Sequence, residues 1–187
     1  LKGDKSEITS NEADFGGAIY ANPGASVFLG SMAYIHRNGA YVEAGGIHAS
    51  SDNVTVKAGG YAFVSDNGQG KHRDASNIYL GDNLLTLEGY IPQHVTEKGL
   101  NFPNLGVYSN NYKKGNTFAT NPEPESITVE DYSVFHNDRD TDLAAIAGSE
   151  GEIKWGANGN FRIKETGETY YNPQEAIEKT YNDLGLS

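Results

Sequence analysis

The sequence predicts an all-β chain wound as a parallel β-helix, a β-solenoid, with one short α-helix near its C-terminus. Three observations carry this. First, the chain repeats itself: Asn11-Glu-Ala-Asp-Phe-Gly-Gly-Ala-Ile-Tyr-Ala21 returns as Asn38-Gly-Ala-Tyr-Val-Glu-Ala-Gly-Gly-Ile-His-Ala49, with Ile19 and Ile47 28 residues apart. A weaker copy, Asn77-Ile-Tyr-Leu80, puts Ile78 another 31 residues on, and the links Tyr34–Asn38 and Phe63–Asn67 are 29 apart. Fixed periods in this range mark solenoids, propellers or arrays. Second, the apolar residues fall in short runs or alternations bounded by Gly, Asn, Asp and Ser, as strands require. Third, the 187 residues are 37% hydrophobic and include 23 Gly, a composition suited to many short strands and turns.

One period of about 28 residues holds about three short strands and three turns, one coil of a parallel β-helix, and is shorter than a propeller blade. Inward positions then stack into ladders, Ile19/Ile47/Ile78 and Ile8/Ile35/Val64. The pairs Gly16-Gly17 and Gly45-Gly46 fit tight corners, and Asn11, Asn38 and Asn67 fit turns before them. Residues 1–90 are read as these coils. The chain enters partway through a coil and begins at Leu1, which predicts either earlier residues or residues 1–7 folded over the open end.

Beyond residue 90 the period fades. Residues 91–156 are read as a β-rich continuation or cap, with strands expected at Leu84–Leu87, Leu105–Tyr108, Ile127–Val129, Ser133–Phe135, Leu143–Ile146 and Glu152–Trp155 and a long polar loop over 109–126. Residues 157–187 are read as a hairpin plus an amphipathic helix. The hairpin spans Asn160–Tyr170. The helix over 172–185 has Asn172 as cap, Pro173 in its first turn, one face of Ala176, Ile177, Thr180, Tyr181 and Leu184, and Gly185 as stop.

The net charge of −11 argues against nucleic acid and against an anionic membrane surface. There is no Cys, which removes disulfides and thiolate chemistry. No apolar run reaches the roughly 18 residues of a membrane span, so no membrane insertion is expected of this segment.

Asp138-Arg-Asp140-Thr-Asp142 opens with the spacing of a calcium loop, but Leu143 and Ser149 stand where that loop needs Gly and Glu. What remains is a looser oxygen-ligand site at Asp138, Asp140 and Asp142, with calcium the one cofactor entertained. The five His show no zinc spacing, and His36 and His48 are expected to face solvent. Gly68-Gln-Gly-Lys71-His-Arg73 is a basic, Gly-rich loop lacking the residues of a phosphate loop; Lys71 and Arg73 are candidates to contact acidic glycans. There is no Gly-x-Ser-x-Gly elbow. A polysaccharide lyase or hydrolase would need Glu43, Asp52, Lys57, Asp66, Arg73 and Asp74 gathered on one face, so no catalytic residue is assigned and a non-enzymatic role is expected. Tyr108, Tyr112, Tyr132, Trp155, Tyr170 and Tyr171 could stack on sugars, and Trp155 is the candidate for an exposed platform.

The motif Asn-x-Ala-x-x-Gly-Gly-Ala-Ile-Tyr of residues 11–20 resembles the coil of right-handed parallel β-helices in adhesin-like cell-surface proteins of bacteria and archaea, including Gram-positive wall proteins and polymorphic autotransporters. Asn77-Ile-Tyr-Leu80, Leu84–Gly89, Leu105–Tyr108 and Tyr132–Asn137 follow the order of the Gram-positive repeat modules, and Thr169–Ile177 is similar to their capping helix, with Asn-Pro in place of Ser-Leu. The resemblance covers about three-quarters of the chain. It implies a right-handed coil, an extracellular setting at the cell surface or wall, neighbouring repeats of the same chain, and host or environmental glycans or proteins as partners. It brings no catalytic residue. A glycan-binding module is the other non-enzymatic alternative.

Overall fold

The computed structural model describes residues 6–70, 74–93, 95–97, 100–158, 161–162 and 169–170. They form a parallel β-solenoid of about four turns, nearly all β. The helix expected at 172–185 lies outside the described residues.

Each turn threads three rows of strands. The first row is Ser6–Thr9, Ala33–His36, Phe63–Val64 and Asn104–Tyr108, paired in parallel so that Ile8, Ile35, Val64 and Leu105 stack. The second is Ile19–Tyr20, Ile47–His48 and Ile78–Tyr79, continued by the end of Asn104–Tyr108, and it stacks Ile19, Ile47, Ile78 and Val107. The third is Ser26–Leu29, Thr55–Ala58, Leu85–Leu87 and Thr117–Thr120, stacking Val27, Val56, Leu85 and Ala119. Both expected ladders are present and each gains a further rung. The inward residues merge into one core. Burying each aliphatic rung contributes roughly 1.5–3 kcal/mol before conformational entropy is set against it.

Between the first and second rows the chain bulges into a side lobe, a four-stranded sheet of Glu12–Phe15, Gly39–Glu43, Gly68–Gln69 and Asp74–Ala75. The lobe re-enters the solenoid through the Gly-rich corners. A Cβ on Gly45 would overlap the carbonyl oxygen of Gly68, so only a glycine lets the lobe strands lie this close.

The Asn residues before the lobe do more than turn the chain. The left-handed φ falls on the residue before each, Ser10, Arg37 and Asp66 at 62°, 54° and 58°. The Asn side chains point inward and form a ladder. The main-chain N–H and the Nδ2 of Asn11 both donate to Oδ1 of Asn38, at 3.1 and 3.0 Å. Asn38 donates likewise to Asn67 at 3.1 and 2.9 Å, and Asn67 to Asn77 at 3.0 Å for each bond. The Nδ2 groups of Asn38 and Asn67 also donate to main-chain carbonyls, those of Ile8 and His36 and those of Ile35 and Ser65. The ladder ends on Asp138, whose two carboxylate oxygens accept from the N–H and Nδ2 of Asn77 at 2.7 and 2.8 Å.

The fourth turn has no lobe: Asn104–Tyr108 runs straight through the first and second rows. Gly106 sits at the skipped lobe, where a Cβ would overlap Nδ2 of Asn77, Oδ1 of Asp138 and Nε2 of His136. A small antiparallel hairpin, Val95–Glu97 with Leu100–Phe102, precedes this turn. After it, Phe135–Asn137 adds one more parallel strand on Leu105, Gly106 and Val107. Ile127–Val129, expected as a strand, contributes only a parallel bridge from Val129 to Ile91, and Tyr132–Val134 is a single 3-10 turn. The antiparallel strands Leu143–Ala147 and Glu152–Ala157 then cross from the first row to the third, where Glu152–Ala157 pairs with Thr117–Thr120. They close this end of the solenoid. A separate hairpin pairs Phe161–Arg162 with Thr169–Tyr170.

Removing a rung from the Asn ladder strands buried donors and acceptors in the turns on either side, each worth about 1–3 kcal/mol. Asn67→Ala is expected to lower the unfolding free energy by about 3 kcal/mol or more in urea titration. Asn22→Ala, at an exposed turn position, is expected to change it by less than about 0.5 kcal/mol.

Candidate functional site

Parallel, in-register pairing builds columns outside the solenoid as well as within it. In the second row each inward aliphatic residue is followed by an outward ring: Ile19-Tyr20, Ile47-His48, Ile78-Tyr79 and Val107-Tyr108. The register stacks these rings in one column. Tyr20 and His48 lie nearly parallel with centroids 5.0 Å apart, and so do Tyr79 and Tyr108 at 4.8 Å. The two pairs meet edge to face, His48 to Tyr79 at 5.3 Å and 71°. Phe15, from the lobe, closes against Tyr20 at 6.4 Å and His48 at 5.4 Å.

The column changes character along its length. Tyr20 and Phe15 are 50% and 41% exposed, whereas His48 and Tyr108 are 6% and 2% exposed. At the deep end the Tyr108 hydroxyl meets that of Ser76 at 2.9 Å, and the Arg139 guanidinium lies 4.3 Å over the Tyr108 ring. Arg139 donates to Oε1 of Gln69 at 2.7 Å and faces Glu43 at 3.7 Å. Along the other edge the Tyr79 hydroxyl donates to Asn110 at 2.7 Å, and Asn110 donates to Asp82 at 3.0 Å. The column therefore runs from rings that are half-exposed, Phe15 and Tyr20, to a ring that is buried beneath Arg139 and Ser76.

Burial sets the protonation behaviour here. It pushes the Glu43 carboxyl up, against the pull of Arg139, and raises the Tyr108 phenol strongly. Burial also pulls the His48 imidazole below its ordinary value. Nδ1 of His48 is buried without a hydrogen-bond partner, which disfavours the charged ring.

The residues singled out from sequence fare differently. Trp155 is not an exposed platform. It is completely buried, stacked on Phe118 with centroids 3.9 Å apart, and plugs the core where the antiparallel strands close the solenoid. Its neighbours Glu152 and Lys154 pair outside at 2.7 Å while Ile153 and Trp155 point inward. The three aspartates do not assemble a metal centre. Asp138 is buried as the end of the Asn ladder, and Asp140 accepts the Asp142 N–H at 3.0 Å within a turn. Among the described residues no group of three or more His, Asp or Glu is placed to hold an ion. Lys71 and Arg73 lie outside the described residues.

His36 and His48, expected to face solvent, are both 6% exposed. They do point outward on the pleat, but His36 is covered by Tyr34, stacked at 3.8 Å, and by Glu7 at 2.7 Å, while Phe15, Tyr20 and Tyr79 pack around His48. Of the groups an enzyme would need, Lys57 pairs with Glu88 at 3.0 Å in the third row, Glu43 and Asp74 lie in the lobe sheet, Asp66 occupies a corner, and Arg73 lies outside the described residues. Sequence reasoning passed over Tyr20 and Tyr79, although the recurrence of a ring after each inward aliphatic residue was there to read.

No family model matches the chain, and neither a curated protein nor a solved structure matches it.

Two outcomes follow from this geometry. Trp155→Ala is expected to destabilise the fold by about 3–5 kcal/mol, read by chemical denaturation, because it empties a closed core. His48 has a folded pKa below its unfolded value, so its contribution is present above about pH 6.5 and is lost as pH falls, when the unfolded chain takes up the proton first. Melting temperature is expected to fall between pH 7 and pH 5, and His48→Gln is expected to flatten that slope.

Proposed function

We propose that this chain is a segment of an adhesin-like cell-surface protein, a stiff β-solenoid that presents a binding face away from the envelope and performs no catalysis. The observation that carries the reading is the half-exposed aromatic column on a scaffold whose turns are locked to one another. Stacked turns hold outward side chains at fixed spacing, so a face built from them is organised before any partner arrives. Phe15, Tyr20, Tyr41 and Val42 concentrate exposed apolar surface on and beside the lobe. The pairing of Lys57 with Glu88, away from the lobe carboxylates Glu43 and Asp74, favours binding over lyase or hydrolase chemistry. An extracellular, wall-associated location accords with the coil motif at residues 11–20.

Beads coated with the chain are expected to be retained on cell or extracellular-matrix surfaces above beads coated with a denatured control. The chain is expected to leave acidic polysaccharides uncleaved in the presence of calcium. Equal retention of folded and denatured coatings, or release of unsaturated or reducing ends, would overturn the reading.

A further inference from the structure

We infer that Asn38 and Asn67, the central rungs of the ladder, are latent deamidation sites: the folded solenoid holds their carboxamides shut, and a chain that opens there converts them and cannot rebuild the ladder. This concerns the scaffold and holds whatever the outer face binds.

The sequence supplies the chemistry. The chain has three Asn-Gly steps, Asn38-Gly39, Asn67-Gly68 and Asn158-Gly159, and two of them are ladder rungs. In such a step no Cβ hinders the glycine nitrogen from reaching the side-chain carbonyl carbon of the asparagine. The nitrogen loses its proton and bonds to Cγ, the Cγ–Nδ2 bond breaks, and ammonia departs, leaving a five-membered imide. Water then opens the imide at either carbonyl, giving aspartate or isoaspartate. The outer rungs Asn11 and Asn77 precede Glu12 and Ile78, whose side chains crowd the attacking nitrogen.

The fold withholds every participant. The Gly39 N–H donates to the Asn11 carbonyl at 2.8 Å, and the Gly68 N–H to the Asn38 carbonyl at 3.0 Å. Oδ1 of Asn38 accepts twice from Asn11, and its Nδ2 donates to Ile8, His36 and Asn67. The Asn67 carboxamide is tied in the same manner to Asn38, Ile35, Ser65 and Asn77. Both residues are buried, 0% and 2% exposed, so the water that opens the imide is kept away as well. Turning either carboxamide toward its glycine breaks several buried bonds at once. Conversion therefore runs through opened chain, at a rate set by how seldom the rung opens.

The product does not fit. An oxygen in place of Nδ2 of residue 67 would face the carbonyls of Ile35 and Ser65 and Oδ1 of Asn77, acceptor against acceptor, with a charge no cation meets. Isoaspartate also lengthens the main chain by one carbon and moves the rung off its neighbour. Packing does not demand the glycine at position 39. Its φ is not left-handed, and a Cβ there would meet Cγ of Glu12 at 3.5 Å, an ordinary contact.

The test incubates the whole chain at mildly alkaline pH, in buffer and in concentrated guanidinium chloride, and follows each Asn-Gly step by peptide mass spectrometry. In denaturant Asn38, Asn67 and Asn158 are all expected to convert. In buffer Asn38 and Asn67 are expected to convert at least about a hundredfold more slowly than in denaturant. Gly39→Ala is expected to slow conversion of Asn38 in denaturant by about tenfold or more and to leave the circular dichroism of the folded chain unchanged. Asn38→Asp and Asn67→Asp carry the product directly. They are expected to unfold at a lower denaturant midpoint than the wild type or not to fold, whereas Asn158→Asp, at an exposed position, is expected to match the wild type. Either ladder site converting as fast in buffer as in denaturant, no conversion in denaturant, Gly39→Ala converting at the wild-type rate, or Asn67→Asp as stable as the wild type would each overturn the inference.

Discussion

The Asn ladder is the constraint on which the remainder of this fold depends. Each Asn rung before Asn77 donates twice and in one direction, from its N–H and its Nδ2 to a single Oδ1 of the next rung, on the following turn for Asn38 and across the third lobe for Asn67. At the ladder's end the two donors of Asn77 go to two different oxygens, an arrangement an amide would not match because its NH2 would face one of them. The ladder ends on Asp138, whose carboxylate has acceptors alone and offers one oxygen to each donor of Asn77. In a low-dielectric interior a satisfied series strengthens itself, and a broken one is costly. The ladder thereby fixes the corner where every lobe leaves the solenoid, and with it the register of the rows that flank it.

Much of the architecture was legible in the sequence because parallel stacking turns spacing into contact. Ile8, Ile35 and Val64, and Ile19, Ile47 and Ile78, could be placed by counting. The ladder could be read only in part. Asn11, Asn38 and Asn67 keep the period, but Asn77 follows Asn67 by ten residues, because the third lobe folds back on itself through Gly68–Gln69 and Asp74–Ala75. Asp138, 61 residues further on, shares no periodicity with Asn77. Its acidic neighbours suggested a cation, whereas the group it serves is a buried amide. Trp155 was misjudged for a different reason. Its flanking residues Lys154 and Gly156 drew attention, when the alternation Glu152-Ile153-Lys154-Trp155 already placed it on the same face as Ile153.

The ends of the described solenoid are finished unequally. In the first turn Ile8, Ile19 and Val27 are half-buried, while their equivalents Ile35, Ile47 and Val56 are fully buried one turn later. At the other end the parallel register is abandoned. Strands that reverse direction carry the sheet from the first row across to the third, so the last strand edges find partners and Trp155, Phe118 and Phe135 fill the space between. Antiparallel pairing suits this task, since it lets short connections span the mouth of the coil.

The same geometry that closes the core also shapes the outer face. A strand pair that stacks Ile on Ile must stack whatever follows each Ile, so the rings of Tyr20, His48, Tyr79 and Tyr108 fall into line without further provision. What differs along the column is how much covers it. The lobe strands Glu12–Phe15 and Gly39–Glu43 overhang the early turns, and Arg139, from the loop after Phe135–Asn137, seals the last ring. Where the fourth lobe is missing, Gly106 draws Asn77 and Asp138 into the gap and brings that loop close. The deletion of one lobe thus ends the Asn ladder and closes the aromatic column at the same level. The open half of the column, at Phe15 and Tyr20, lies on the first described turn.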